Sequence, residues 1–109
     1  MLLERCALQG FRVGCGQKMD GHHLIDKSFL RGCKRAQKYV KEHWDFFGIP
    51  MCNVHNAQTK LADVKAAQPI LWREQIRVWG RPKCEAMLAG LRACYKVEPM
   101  ELRLEALLG

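Results

Sequence analysis

The stretch "FLRGCKRAQKYVKEHWDFFGIPMC" (residues 29–52) holds two patterns back to back. Phe29, Cys33, Ala36, Val40, Trp44 and Phe47 recur at steps of three and four, which places them on one stripe of a helix. Arg31, Lys34, Arg35, Lys38 and Lys41 recur in the same way on the opposite side. Gly32 weakens the first turn, because glycine gives up the most backbone freedom in a helix. From Gly48 the helical period is gone, and "GIPMC" (48–52) reads as an extended, buried stretch. The spacing therefore predicts a helix over 29–47 that feeds a strand, and the fold class is α+β.

Upstream, residues 6–27 read as short extended pieces with turns, punctuated by Gly10, Gly14, Gly16 and Gly21. "HLI" (23–25) is a strand candidate, and His22 and His23 stand side by side at its start. Neighbours on a strand point to opposite faces, so two adjacent imidazoles cannot both pack one core face. Either one is buried with a partner and one is wet, or the pair sits at an element end where both reach a shared site. Downstream, a helix is expected from near His55 toward Ala67. Pro69 suits the first turn of another helix over 69–79, with Trp72, Ile76 and Trp79 on one stripe and Gly80 closing it. Pro82 opens a further segment with Cys84, Met87, Leu88, Leu91 and Tyr95 inward, and Pro99 opens a short last helix ending in "LEALLG".

At 109 residues the chain is read as a single domain, 1–109, and 49% hydrophobic residues exclude a wholly disordered polymer. The formal charge of +7 favours a polyanionic partner such as nucleic acid or an anionic surface. No apolar run approaches bilayer length, and the opening "MLLERCALQG" carries charges within its first five residues, unlike a signal peptide. A cytoplasmic protein without a membrane partner is expected. In such a reducing compartment, six cysteines are free or metal-bound rather than disulfide-linked. Residues 1–60 carry ten Lys/Arg against five Asp/Glu, all four His and four of the six Cys, so the chemistry is concentrated there; 61–109 reads as helical scaffold.

Cys6 and Cys15 flank a glycine-rich turn, and Cys52 and His55 are separated by two residues. Together they can supply four tetrahedral donors for a structural zinc, since thiolate and imidazole are the donors that ion prefers. The alternative is that these are small buried hydrophobes, as free cysteines often are. Cys33, Cys84 and Cys94 fall on apolar helical stripes, and for them the packing role is the reading.

"DGHHLIDKS" (20–28), an intervening helix and then "GIPMCNVHNAQTK" (48–60) resemble the HNH, or ββα-metal, nuclease motif, and more narrowly the small HNH-like proteins of phages and prophages. The resemblance covers about residues 6–60, with the four-donor set above matching the zinc knuckle that braces many such sites. It implies a zinc-braced ββα core followed by packed helices, in a bacterial or phage-infected cell. It also implies roles for individual residues. His22 would bind the catalytic divalent metal, such as Mg or Mn, and His23 would be the general base that activates a water. Asn56 would stand as the second metal ligand, and Asp45 would match the phage "HD" variant. His55 would belong to the knuckle, or to the catalytic ligands if the zinc set fails. Phe46 and Phe47 stand where the family has an orienting Asn, and Lys60 where many members have a last histidine.

The chemistry is coherent with the residue types alone. Hydrolysing a phosphodiester needs an activated nucleophile and a cation on the phosphate. An imidazole that is neutral near pH 7 suits the first role, and a His/Asn/Asp ligand set suits the second. The stripe Arg31, Lys34, Arg35, Lys38, Lys41 can track phosphates without reading bases, or can be a solvated face only. The expected function is a metal-dependent DNA endonuclease, and self-association into a homodimer is left open. A zinc-containing nucleic-acid-binding module with a decayed site and a protein-interaction adaptor are the competing readings.

Overall fold

The computed structural model describes residues 19–52 and 64–109. In chain order these form β1 (Met19–His23), α1 (Lys27–Leu30), α2 (Lys34–Glu42), α3 (Trp44–Phe47), β2 (Gly48–Cys52), α4 (Val64–Trp79), α5 (Arg81–Arg92), a 3-10 turn (Met100–Leu102) and α6 (Leu104–Leu108). The described residues are mostly helical, with one antiparallel two-stranded ribbon among them, so the coarse α+β class holds.

The ribbon pairs Met19 with Cys52, Gly21 with Pro50, His22 with Ile49 and His23 with Gly48. The pairing runs one step further, because the Leu24 N–H donates to the Phe47 carbonyl at 2.8 Å. The expected strand over 23–25 is thus shifted: β1 ends at His23, and Leu24 and Ile25 lie just beyond it as buried core. The reason lies in Asp26, whose carboxylate accepts from the Ser28 N–H at 3.0 Å and caps α1, turning the chain off the strand line.

The single helix expected over 29–47 is three. Gly32 adopts φ +74, the left-handed region where glycine is unstrained, and it separates α1 from α2. His43, at φ −113 and ψ 37, separates α2 from α3. The apolar stripe survives both breaks. Ala36, Val40 and Phe47 are fully buried, and Phe29, Cys33 and Trp44 pack against the core half-buried.

The second expected boundary is also corrected. Pro69 does not open a helix; it lies inside α4. Proline in that position forgoes one hydrogen bond, to the carbonyl of Lys65, in the second turn of the helix. The buried face of α4, with Ala67, Leu71 and Trp72, continues on either side of it. Of the helix expected from His55 toward Ala67, residues 64–67 form the start of α4, and 55–63 lie outside the described residues. Gly80 (φ +86) ends α4, and Pro82 sits in the first turn of α5, as its fixed φ and missing N–H favour. Cys84, Leu88 and Leu91 are buried on α5 and Met87 and Tyr95 half-buried, as the spacing predicts.

The two halves are joined by polar contacts as well as core. Gln75, only 1% exposed, donates from its side-chain amide to the Phe46 carbonyl at 2.8 Å. The last carbonyls of a short helix have no partner within it, and a buried one needs a donor from elsewhere. The Tyr39 hydroxyl donates to the Met87 carbonyl at 3.0 Å, and α2 and α5 meet there closely because Gly90 has no side chain. A Cβ at Gly90 would fall on the Tyr39 hydroxyl and 2.7 Å from Cζ. The Tyr95 hydroxyl donates to the Phe29 carbonyl, tying the end of α5 to α1.

Candidate functional site

The ribbon brings together two sequence motifs that lie far apart in the chain. β1 carries His22 and His23, and β2 ends at Cys52, directly before Asn53-Val54-His55-Asn56. His22 sits opposite Ile49, three residues along the ribbon from the Met19–Cys52 pair. At the usual rise per strand residue that is about 10 Å.

His23 is half-buried, and its ring meets that of Trp44 edge-on, with centroids 4.8 Å apart and planes at 65°. The indole in turn lies over Gly48, the ribbon partner of His23. A Cβ there would sit 2.6 Å from Nε1 and 2.7 Å from Cδ2, and closer still to Cε2. The absence of a side chain at 48 thus lets Trp44 settle against the ribbon and reach His23.

His23 and Trp44 open onto a cavity of about 370 Å³, whose remaining walls are Leu30, Gln37, Val40 and Lys41. Residues 37, 40, 41 and 44 follow the i, i+3, i+4, i+7 spacing of one helical face. Lys41 is also a member of the basic stripe. All five of that stripe, Arg31, Lys34, Arg35, Lys38 and Lys41, are exposed. Lys38 approaches Glu42 at 3.8 Å across a largely solvated pair, which ties it down little. The basic face and the histidine strand therefore border the same concavity.

The remaining expected site residues are distributed as follows. Asp45 is exposed on α3 and makes no hydrogen bond or ion pair among the described residues, while its neighbour Trp44 is the residue that reaches His23. Phe46 and Phe47, at the position of the family's orienting Asn, are fully buried and packed edge to face, with Phe46 also facing Trp72 and Trp79. Cys52 ends β2; Cys6, Cys15, His55, Asn56 and Lys60 lie outside the described residues. Among the described residues no group of three or more His, Cys, Asp or Glu side chains is gathered to hold a metal.

The other cysteines behave as packing residues. Burial, with Glu85 adding to it, pushes the Cys84 thiol up to about 11. Cys33 and Cys94 donate to the carbonyls of Cys94 and Gly90, each at 3.5 Å. Burial, then the neighbouring Cys33, raises the Cys94 thiol, against a smaller lowering by Arg35. Raised thiols are poor nucleophiles, which fits a packing role for Cys84 and Cys94.

Three features of the site carried little sequence signal. Trp44 read as one more core position, and no pattern marked Gln37 or the cavity. The shared 37–41–44 face could have been found from helical spacing. Its depth could not, because that depends on how α1 crosses α2.

Comparison with protein-family models, with curated proteins and with solved structures gives no match. No helix among the described residues is long and apolar enough to cross a membrane.

Proposed function

We propose that the chain is a metal-dependent endonuclease acting on DNA, with its working centre on the His22–His23 strand. The observation that carries this reading is the ribbon register, which sets the histidine pair beside the strand leading into Cys52-x2-His55-Asn56. In the reading, His23 accepts a proton from the attacking water through a neutral imidazole. Trp44 fixes the orientation of that ring by its edge-on contact. The basic face of α2 holds the phosphate backbone alongside, with Lys41 at the cavity edge. His22 and Asn56 are chemically suited to hold a divalent cation, and Cys6, Cys15, Cys52 and His55 to hold a structural zinc. A divalent cation bound there would supply charge stabilisation at the phosphate.

A second reading has its own support. The positions where the resembling family orients its base are phenylalanines here, both buried in the core, and the α3 side chain that meets His23 is an indole. A buried phenyl ring offers no polar atom with which to orient a base as that family's Asn does. That favours a zinc-containing nucleic-acid-binding module that has lost its catalysis. Cleavage of supercoiled plasmid with Mg²⁺ or Mn²⁺ separates the two. The wild type should nick or linearise DNA. His23→Ala should cut about two to four orders of magnitude more slowly with unchanged DNA affinity. A wild type that binds DNA but cuts none with either metal leaves only the binding module.

A further inference from the structure

We propose that the cavity beside His23 receives an unstacked nucleobase from the strand whose phosphates lie along α2. The proposal rests on the nucleic-acid reading above and names the form of substrate that the site takes. It does not require the chain to be a nuclease.

The cavity is an open concavity at the surface rather than a void sealed in the core. At about 370 Å³ it lies at the lower end of the range that small ligands occupy, large enough for a base with part of its sugar. Its walls are an indole (Trp44), two aliphatic side chains (Leu30 and Val40) and three polar groups at separate points (His23, Gln37 and Lys41). A base presents an apolar face, and the surface that these walls turn to the cavity is almost wholly apolar. The indole supplies the surface on which any base can stack. The Gln37 amide nitrogen donates to the Leu30 carbonyl at 2.6 Å, and its carbonyl oxygen has no donor among the described residues.

Charge decides between a base and an unrelated apolar ligand. Lys41 belongs both to the cavity wall and to the exposed basic stripe, with Lys34, Arg35 and Lys38 on the same helix. A free apolar molecule would gain nothing from those charges. A nucleotide would place its base in the cavity and its phosphate on Lys41, with the flanking phosphates continuing along α2. In a perfect duplex the base faces are covered by their neighbours, so the cavity selects bases that are unpaired or turned out of the stack.

The test is a binding measurement on the full chain, with fluorescently labelled oligonucleotides and no added divalent ion. Four probes of equal length are compared at one salt concentration: a thymidine single strand, an abasic strand with the same phosphates, a perfect duplex, and a duplex with one unpaired nucleotide. The base-bearing strand should bind about ten- to a hundredfold more tightly than the abasic one, the usual worth of one stacked base. The bulged duplex should exceed the perfect duplex by a similar factor if the base can be drawn from a double strand. If only the single strand gains, the source is single-stranded nucleic acid. Trp44→Leu should reduce the base-dependent gain in a variant that keeps its helical circular dichroism; if that variant does not fold, the wild-type comparison decides alone. Equal affinity for the base-bearing and abasic strands overturns the proposal while leaving nucleic-acid binding intact. No affinity for any probe overturns both this proposal and the function on which it rests.

Discussion

Replacing Gly48 with alanine tests the geometry on which the site depends. Gly48 has φ −93 and ψ 124, a conformation open to any residue, so an added methyl brings no backbone strain. It brings a collision instead. The new carbon would lie within 3 Å of three indole atoms of Trp44, among them Nε1 at 2.6 Å and Cδ2 at 2.7 Å. The indole must shift, and with it the edge-on contact to His23 and one wall of the cavity. Overpacking of this kind costs about 1–3 kcal/mol. The loss of chain freedom in the unfolded state returns about 0.4–1 kcal/mol. The net destabilisation is then about 0–2.6 kcal/mol, a fall in Tm of up to roughly 12 °C for a chain of this size. Circular dichroism measures the fall, and a change in the NMR resonances of the His23 ring reports the displaced indole. Gly32→Ala is the control. It meets no atom within 4 Å, but it carries φ +74, so it should cost about 1 kcal/mol and leave the His23 ring signals where they were. A Gly48→Ala variant with unchanged Tm and unchanged His23 resonances would refute the placement of the indole over the ribbon.

Two further outcomes are expected. Arg35→Ala with Lys38→Ala should weaken binding to all DNA sequences alike and flatten the slope of log affinity against log salt by about one for each phosphate no longer neutralised, and an unchanged slope reduces the stripe to a solvated face. Stability should fall as pH rises from about 9 to the Cys84 value of about 11: below that window the thiol is protonated in both states, within it only the unfolded chain gives up the proton, and the loss totals about 3 kcal/mol. Urea unfolding at pH 8 and pH 10.5, with Cys84→Ala beside the wild type, isolates this contribution, and parallel curves for the two proteins remove it.

Sequence pattern made the apolar and basic faces of 29–47, the strand 48–52, and the boundaries at Gly80 and Pro82 legible, because each depends on a local period or a local turn residue. The fracture of 29–47 into three helices was only hinted at by Gly32, and nothing in His43 announces the second break. Pro69 misled because its local rule, helix start, yields to the burial of Ala67, Leu71 and Trp72 on either side. Gln75 gave no signal of its own. Its 1% exposure follows from a carbonyl 29 residues away that needed a donor, a demand that arises only once α3 and α4 are packed. The histidine pair was legible as a candidate, and the register that sets it beside "GIPMC" follows from the ribbon. The involvement of Trp44 and the cavity depended on how three short helices cross.

The ribbon is closed by 24 residues (24–47) that are themselves folded. Were those residues a floppy loop, bringing its two ends together would cost roughly 3 kcal/mol of chain entropy, far more than five paired residues of an isolated ribbon could recover. Here α1–α3 are held by Tyr39 on Met87, Tyr95 on Phe29 and Gln75 on Phe46, so the ends are already juxtaposed when the strands meet. The histidine strand is therefore the dependent member of a hierarchy. Its register is set by α1–α3 and by the contacts from α4 and α5 that hold them.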